Sequence, residues 1–271
     1  MSASPMTGRA FLVRGLLVGL LAGFASFLVA HQVGEPHVER AVALEEAGVA
    51  EHSHDTASST DETAGTSGHS HDEETAAVSR SDQRTWGLLT GTLAIGLALG
   101  GLIALISAAV VGRLGRLTPG QSTAVVALVG FVSFALVPFL KYPATPPAAG
   151  SGDTIGARTG YYFLFVLLSV VVAIAAVTVA QRLWRQRGAY AAVTIAAVGY
   201  VAMMVVIGEV MPSAEQVGDF PADTLWFFRR ASLMTLAALW AVIGIGLTGF
   251  VGRLHQQMTA ATARRELAAS L

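Results

Sequence analysis

The chain has 271 residues, 53% of them hydrophobic and only 13% charged, with a net charge of −1 and no cysteine. That charged fraction is about half the ~25% usual for soluble domains, and several apolar runs reach the ~18–20 residues that cross a bilayer. A near-neutral balance gives no electrostatic case for nucleic acid, and the missing cysteine removes disulfides, thiolate metal sites and cysteine nucleophiles together. The expected fold is an all-α polytopic transmembrane helical bundle of about six spans, in contact with membrane lipid, with a disordered His- and acid-rich outer loop.

Phe11–Ala30 is the first apolar run, flanked by Arg9 and interrupted by Arg14. A cleaved signal peptide is the competing reading. The residues around Ala30 offer no good small-x-small site, so an uncleaved helix is preferred. Gly15, Gly19 and Gly23 recur every four residues and lay a smooth strip along one helix face, where a neighbour can approach closely. A polar insert follows, from His31 to Arg84. Within it, Val38–Ala50 has the pattern of an amphipathic helix. Ser53–Glu74 is rich in Ser, Thr, Gly, Asp and His, and lacks the apolar content to offset ordering entropy without a ligand.

Five further spans are readable: Trp86–Val111, Thr123–Leu140, Tyr161–Ala180, Ala189–Val210 and Ala231–Val251. Gly87/Gly91 and Gly96/Gly100 give the first of these close-packing faces. The organisation is then an N-terminal tail and first transmembrane helix (1–30), an extracytoplasmic His/Asp/Glu-rich loop (31–85), a five-helix transmembrane core (86–252) and a cytoplasmic tail (253–271).

Basic residues in short loops orient the chain. With the N-terminus inside, Arg9, Arg14, Arg113, Arg116, Arg182, Arg185, Arg187, Arg253, Arg264 and Arg265 all fall on the cytoplasmic side, joined by one acid, Glu266. The outer segments hold the other seven basic residues and sixteen acids, with Glu209 at the boundary. Arg outnumbers Lys sixteen to one, the bias of a GC-rich bacterial genome. The expected location is the cytoplasmic (inner) membrane of a bacterium, with both termini cytoplasmic and the histidine insert outside.

Six of the seven histidines lie in that insert, and two pairs repeat one tetrapeptide: His52-Ser53-His54-Asp55 and His69-Ser70-His71-Asp72. Imidazoles two apart on a flexible chain chelate a divalent ion, carboxylates add harder donors, and the absence of sulfur favours borderline divalent metals. A solvated acidic linker with chance histidines is the plainer explanation, and the repetition argues against it. Metal capture at the mouth is the expected role of His52, His54, Asp55, His69, His71 and Asp72. A second group, His31, Glu35 and His37, places three donors within seven residues where the first helix leaves the apolar run; an ordinary polar helix end is the alternative. These are the better candidates for a selective metal site.

Two further features could line an entrance. Lys141, Tyr142, Pro143, Pro146 and Pro147 form a proline-rich turn whose backbone is extended and poor in donors. Glu209 is an ionisable group near a helix end, a functional candidate in any membrane span, with Met203, Met204 and Met211 nearby as soft donors or simple packing. Arg229 and Arg230 can pair with Asp219, Asp223 or Glu209. No phosphate-binding loop, His-Glu-x-x-His helix or Gly-x-Ser-x-Gly elbow is present. Catalysis is therefore not expected, and no organic cofactor is called for.

The pieces together resemble the CbtA family of predicted cobalt transporter subunits. The resemblance rests on Gly34-Glu35-Pro36 with Glu45 or Glu46 downstream, on Pro138-x-x-Lys141-Tyr142-Pro143-x-x-Pro146-Pro147, on Arg158 and Pro212, and on Phe220-Pro221-Ala222-x-x-Leu225-Trp226-x-Phe228-Arg229. It implies cobalt import associated with cobalamin synthesis, and a small one-span, histidine-bearing CbtB-like partner. Members of that family are described with five spans, one fewer than read here. The residues alone reach only a divalent metal handled on the outer face, so nickel and zinc stay open beside cobalt. A non-transporting metal-binding accessory or scaffold for a partner permease is the rival function. A homo-oligomer is compatible with either.

Overall fold

The computed structural model describes residues 7–55, 79–115, 117–147, 149, 155–213, 217–218 and 220–270, in backbone alone at 48–55 and 155. Every regular element among them is helical. In chain order these are α1 (Gly8–Val29), α2 (Glu35–Asp55), α3 (Arg80–Asp82), α4 (Leu88–Val110), α5 (Pro119–Gly130), α6 (Val137–Lys141), α7 (Ile155–Val210) and α8 (Ala222–Ala269). Three wider π-helical turns join some of them end to end: Ala30–Gly34 between α1 and α2, Gln83–Gly87 between α3 and α4, and Phe131–Leu136 between α5 and α6. Five continuous helices result, each long and apolar enough to cross a membrane.

Two of the π turns stop just before a proline. Proline has no N–H to donate, and its ring strikes the carbonyl four residues back. The helix ahead of Pro36 and Pro138 answers by widening. Glu35 N–H bonds to Ala30 O, and Val137 N–H bonds to Val132 O, each five residues back. The first helix therefore does not end at Ala30. It runs through the widened turn into α2 and carries the polar segment onward, so the helix expected over Val38–Ala50 is part of a longer rod.

α7 is two helical limbs that meet at Gly188. Gly188 has φ 78° and ψ 169°, a region open essentially to glycine alone. Ser169 Oγ and Tyr200 OH are 2.7 Å apart across 31 positions of sequence. A straight helix would separate them by roughly 46 Å. The chain thus doubles back at Gly188, and the limbs 155–187 and 189–210 lie against each other. With α7 folded into two limbs the chain makes six passes, which accommodates the two spans read at Tyr161–Ala180 and Ala189–Val210.

The main core joins α1, α4, α5 and α8. Phe11, Val18, Ala22, Ile103, Ala127, Trp240, Ile243 and Leu247 are buried in it. α1 and α4 pack antiparallel along their small residues: a side-chain carbon at Gly15 would strike Ala104 and Gly100, one at Gly19 would strike Gly96, and one at Gly23 would strike Thr92. The face expected from Gly96/Gly100 is used. The one expected from Gly87/Gly91 is not: nothing lies within 4 Å of a carbon added at Gly91, and Gly87 meets only its own turn. Val18 fills the space at Gly246 of α8, and Trp240 lies over Gly130 between Phe131 and Phe134. A second, smaller cluster around Phe165, Ala173, Tyr200 and Met204 holds α7 against α6 and the adjoining π turn. The abundant exposed apolar side chains, such as Leu21, Ile174 and Ile245, are what lipid-facing surfaces require.

Candidate functional site

The α1–α4 register leads directly to the first candidate group. Gly23 faces Thr92; twelve residues further along the first helix, and twelve back from Thr92, Glu35 meets Arg80. Matching π turns on the two rods keep that register. Arg80 Nη2 donates to Glu35 Oε2 at 3.0 Å, and the Glu35 side chain is only 9% exposed against 45% for Arg80. Arg80 is held by its own helix start, where Ser79 Oγ accepts from Asp82 N–H and donates to Asp82 Oδ2. One turn along, Arg84 pairs with Glu39 at the surface. Two acid–arginine bridges therefore clamp the two ends of the insert together.

His31 and His37 flank Glu35 but turn to different neighbours. His31 stacks on Phe27 of its own helix, with centroids 5.4 Å apart. His37 stacks on Phe227 of α8 at 5.7 Å, and the Arg230 guanidinium lies 4.9 Å from the same ring. Nδ1 of each imidazole is buried without a hydrogen-bond partner among the described residues. His37 lies seven residues past the apolar run. Burial there, reinforced by Arg40 and Arg230, pushes its pKa below the usual imidazole value. A neutral imidazole is the form that ligates a metal. Among the described residues no three His, Asp or Glu side chains converge on one point. The structure thus places His31, Glu35 and His37 along the one rod of α1 and α2, with Glu35 against α3 and His37 against α8, without closing them around an ion.

The repeat residues of the insert divide. His52, His54 and Asp55 fall on the backbone of α2's last turns. His69, His71 and Asp72 lie outside the described residues. The span expected to be disordered, Ser53–Glu74, lies for the most part outside them too.

The proline-rich turn sits elsewhere, beside α7. Tyr142 OH donates to Pro212 O at 2.8 Å, and its ring meets the edge of Phe165. One side chain thus ties the turn after α6 to the turn after α7. Lys141 Nζ is 5.8 Å from the Tyr142 ring centroid, and the lysine stem lies beside Gly208. Pro146 is buried; Pro143 is half-buried and Pro147 exposed. Glu209 is exposed and has no ion-pair partner among the described residues. Arg230 lies over Phe227, and Asp223 accepts from the backbone N–H of Thr224 at 2.7 Å. Asp219 lies outside the described residues. Met204 is buried beside Tyr200 and Met211 half-buried near it, while Met203 is half exposed. α7 packs chiefly on α6 and the π turn before it, so this group and the Glu35 junction are separate features.

One polar feature escaped the sequence reading. Pro138 leaves the Ser133 carbonyl without its widened-turn donor, and Ser169 Oγ supplies one at 2.7 Å. That uses the only proton Ser169 has, so Tyr200 OH is the donor in the 2.7 Å bond between them. Ser169 is fully buried. Tyr200→Phe is expected to cost less than about 1 kcal/mol, the usual worth of one such bond in a membrane. Ser169→Ala is expected to cost about 1–2 kcal/mol, because it orphans a carbonyl and a phenol together. Thermal unfolding of both variants in detergent checks the ordering.

A bundle of helices long and apolar enough to cross a membrane, with charged and imidazole groups at one end, defines a multi-pass membrane protein. The family model described as "Probable cobalt transporter subunit (CbtA)" matches residues 8–252, and the chain belongs to that family. No curated protein and no solved structure matches it.

Proposed function

We propose that the chain is the membrane subunit of a cobalt importer serving cobalamin synthesis. The divalent ion enters from the insert side, which the arginine distribution supports as the outer face of a bacterial inner membrane, with both termini cytoplasmic. His52, His54, Asp55, His69, His71 and Asp72 collect ions. Glu35, His31 and His37 form the first ordered ligand group. Lys141, Tyr142, Pro143, Pro146, Pro147 and Glu209 line a separate rim. A small one-span partner of the CbtB kind completes the transporter. The observation that carries this reading is a buried carboxylate flanked in sequence by two imidazoles whose Nδ1 atoms have no partner among the described residues, in a chain of the cobalt-transporter family. Among the described residues Glu35 is held by a single arginine, which an arriving cation can displace.

The test is cobalt accumulation in a strain lacking the protein, restored by the wild-type chain. Deleting residues 53–74 is expected to lower uptake several-fold at limiting cobalt and to leave it unchanged at high supply, as loss of a collector would. Unchanged accumulation of cobalt, nickel and zinc on loss of the whole protein would sink the transport reading.

The accessory alternative rests on a specific observation. Among the described residues the spans hold no cluster of metal-type ligands at mid-depth. Cobalt binding without flux in liposomes that contain the protein alone favours it.

A further inference from the structure

At the end of the bundle opposite the insert, α1 and α8 part to leave a groove of about 460 Å³. Its walls are apolar: Val13, Leu17 and Phe250 are 49%, 56% and 39% exposed. Its polar lining is Arg14, Arg253 and Gln257. Arg14 Nη1 donates to Ala10 O at 2.8 Å, which draws the guanidinium back along α1 toward the chain terminus. The rest of its five N–H donors and all of those on Arg253 have no partner among the described residues. Neither arginine has an acid beside it there. In sequence the only acid of the flanking segments is Glu266 of the tail.

We propose that this groove binds one anionic phospholipid of the leaflet on the side of the termini. The two guanidiniums hold the phosphodiester, and the acyl chains run past Val13 and along Leu17 and Phe250, which lie about one helical turn deeper than Arg14 and Arg253. Two uncompensated cations set at the polar end of an exposed apolar trough match both halves of such a lipid. A free phosphate would use only the first half. Basic pockets between transmembrane helices hold lipid head groups in this way. The proposal stands apart from the cobalt reading.

The test uses the full chain purified in neutral detergent and exchanged into nanodiscs of equal phosphatidylglycerol and phosphatidylcholine. Native mass spectrometry of the released protein then counts retained lipids. Wild type is expected to retain phosphatidylglycerol over phosphatidylcholine by at least about fivefold, the gain of roughly one basic contact. Arg14→Gln/Arg253→Gln is expected to lose that preference. Arg264→Gln/Arg265→Gln, which removes the same charge from the tail, is expected to keep it. Leu17→Trp fills the trough while leaving both arginines, and it too is expected to abolish retention. Retention undiminished in Leu17→Trp but competed away by millimolar inorganic phosphate shows a bare anion site and overturns the proposal. So does a preference equal in the wild type and the Arg14/Arg253 variant. Should that variant fail to fold, the Leu17→Trp arm decides.

Discussion

Gly19→Val is expected to break the α1–α4 pair and lower stability by about 3 kcal/mol or more, at or beyond the top of the range for overpacked sites. The reason is what the new carbon meets. At Gly19 it would fall well inside contact distance of Gly96 O and 3.1 Å from Leu97 Cα. At Gly96 it would lie 2.7 Å from Gly23 N and 2.8 Å from Gly23 Cα. These are backbone atoms, which cannot rotate away as a side chain can. The helices must separate, and separation strips van der Waals contact from the whole seam from Gly15 to Gly23. In a bilayer that contact is a principal source of helix association, because lipid tails are as apolar as leucine. Gly91→Val, on the partner helix α4 with nothing within 4 Å, is expected to change stability by less than about 0.5 kcal/mol. Size exclusion and thermal unfolding in detergent compare the two. Equal behaviour of the Gly19 and Gly91 variants would mean that close backbone approach does not hold the bundle.

That contrast also marks how far the sequence could be read. Spacing at every fourth residue identified the strips at Gly15/Gly19/Gly23 and Gly96/Gly100, since a helix repeats its face that way. It put Gly87/Gly91 in the same class, because spacing says a face is smooth and not that a partner lies against it. The reversal at Gly188 was legible from Arg182, Arg185 and Arg187, which interrupt 50 apolar-rich residues at the one place where a turn must face water. The family followed from the Gly-Glu-Pro and Lys-Tyr-Pro motifs. Three things were not legible. A proline inside a helix reads as a break or kink, yet Pro36 and Pro138 each sit in a continuing helix, because one widened turn relieves the clash. Ser169 and Tyr200 read as ordinary span residues. Their bond depends on which carbonyl Pro138 leaves free, and that is a fact of three-dimensional packing. The Glu35–Arg80 bridge crosses 45 positions of sequence, and only the α1–α4 register brings its ends together.

Glu35 and Arg80 carry the second large effect, and the two substitutions separate structure from transport. Arg80→Ala leaves a carboxylate, 9% exposed in its side chain, without its donor. Hydrogen bonds to charged groups are worth about 1.5–3 kcal/mol, and the half-exposed arginine puts the expected loss toward the lower figure. Glu35→Gln removes the charge while keeping an acceptor for Arg80, so stability is expected to fall by about 1 kcal/mol at most. Its effect on cobalt uptake is expected to be far larger, at least about tenfold, because a neutral amide is a poor ligand for a divalent ion and leaves the Arg80 charge in place to repel it. The exchange Glu35→Arg/Arg80→Glu provides the discriminating arm. It restores an ion pair across the same register and is expected to recover most of the stability. It moves the carboxylate away from His31 and His37, and so is expected to leave uptake low. Uptake that follows stability across all three variants would make Glu35 a clamp for the insert and nothing more. Uptake lost in Glu35→Gln and in the exchange, with folded protein present in both, places the carboxylate beside the imidazoles in the path of the ion.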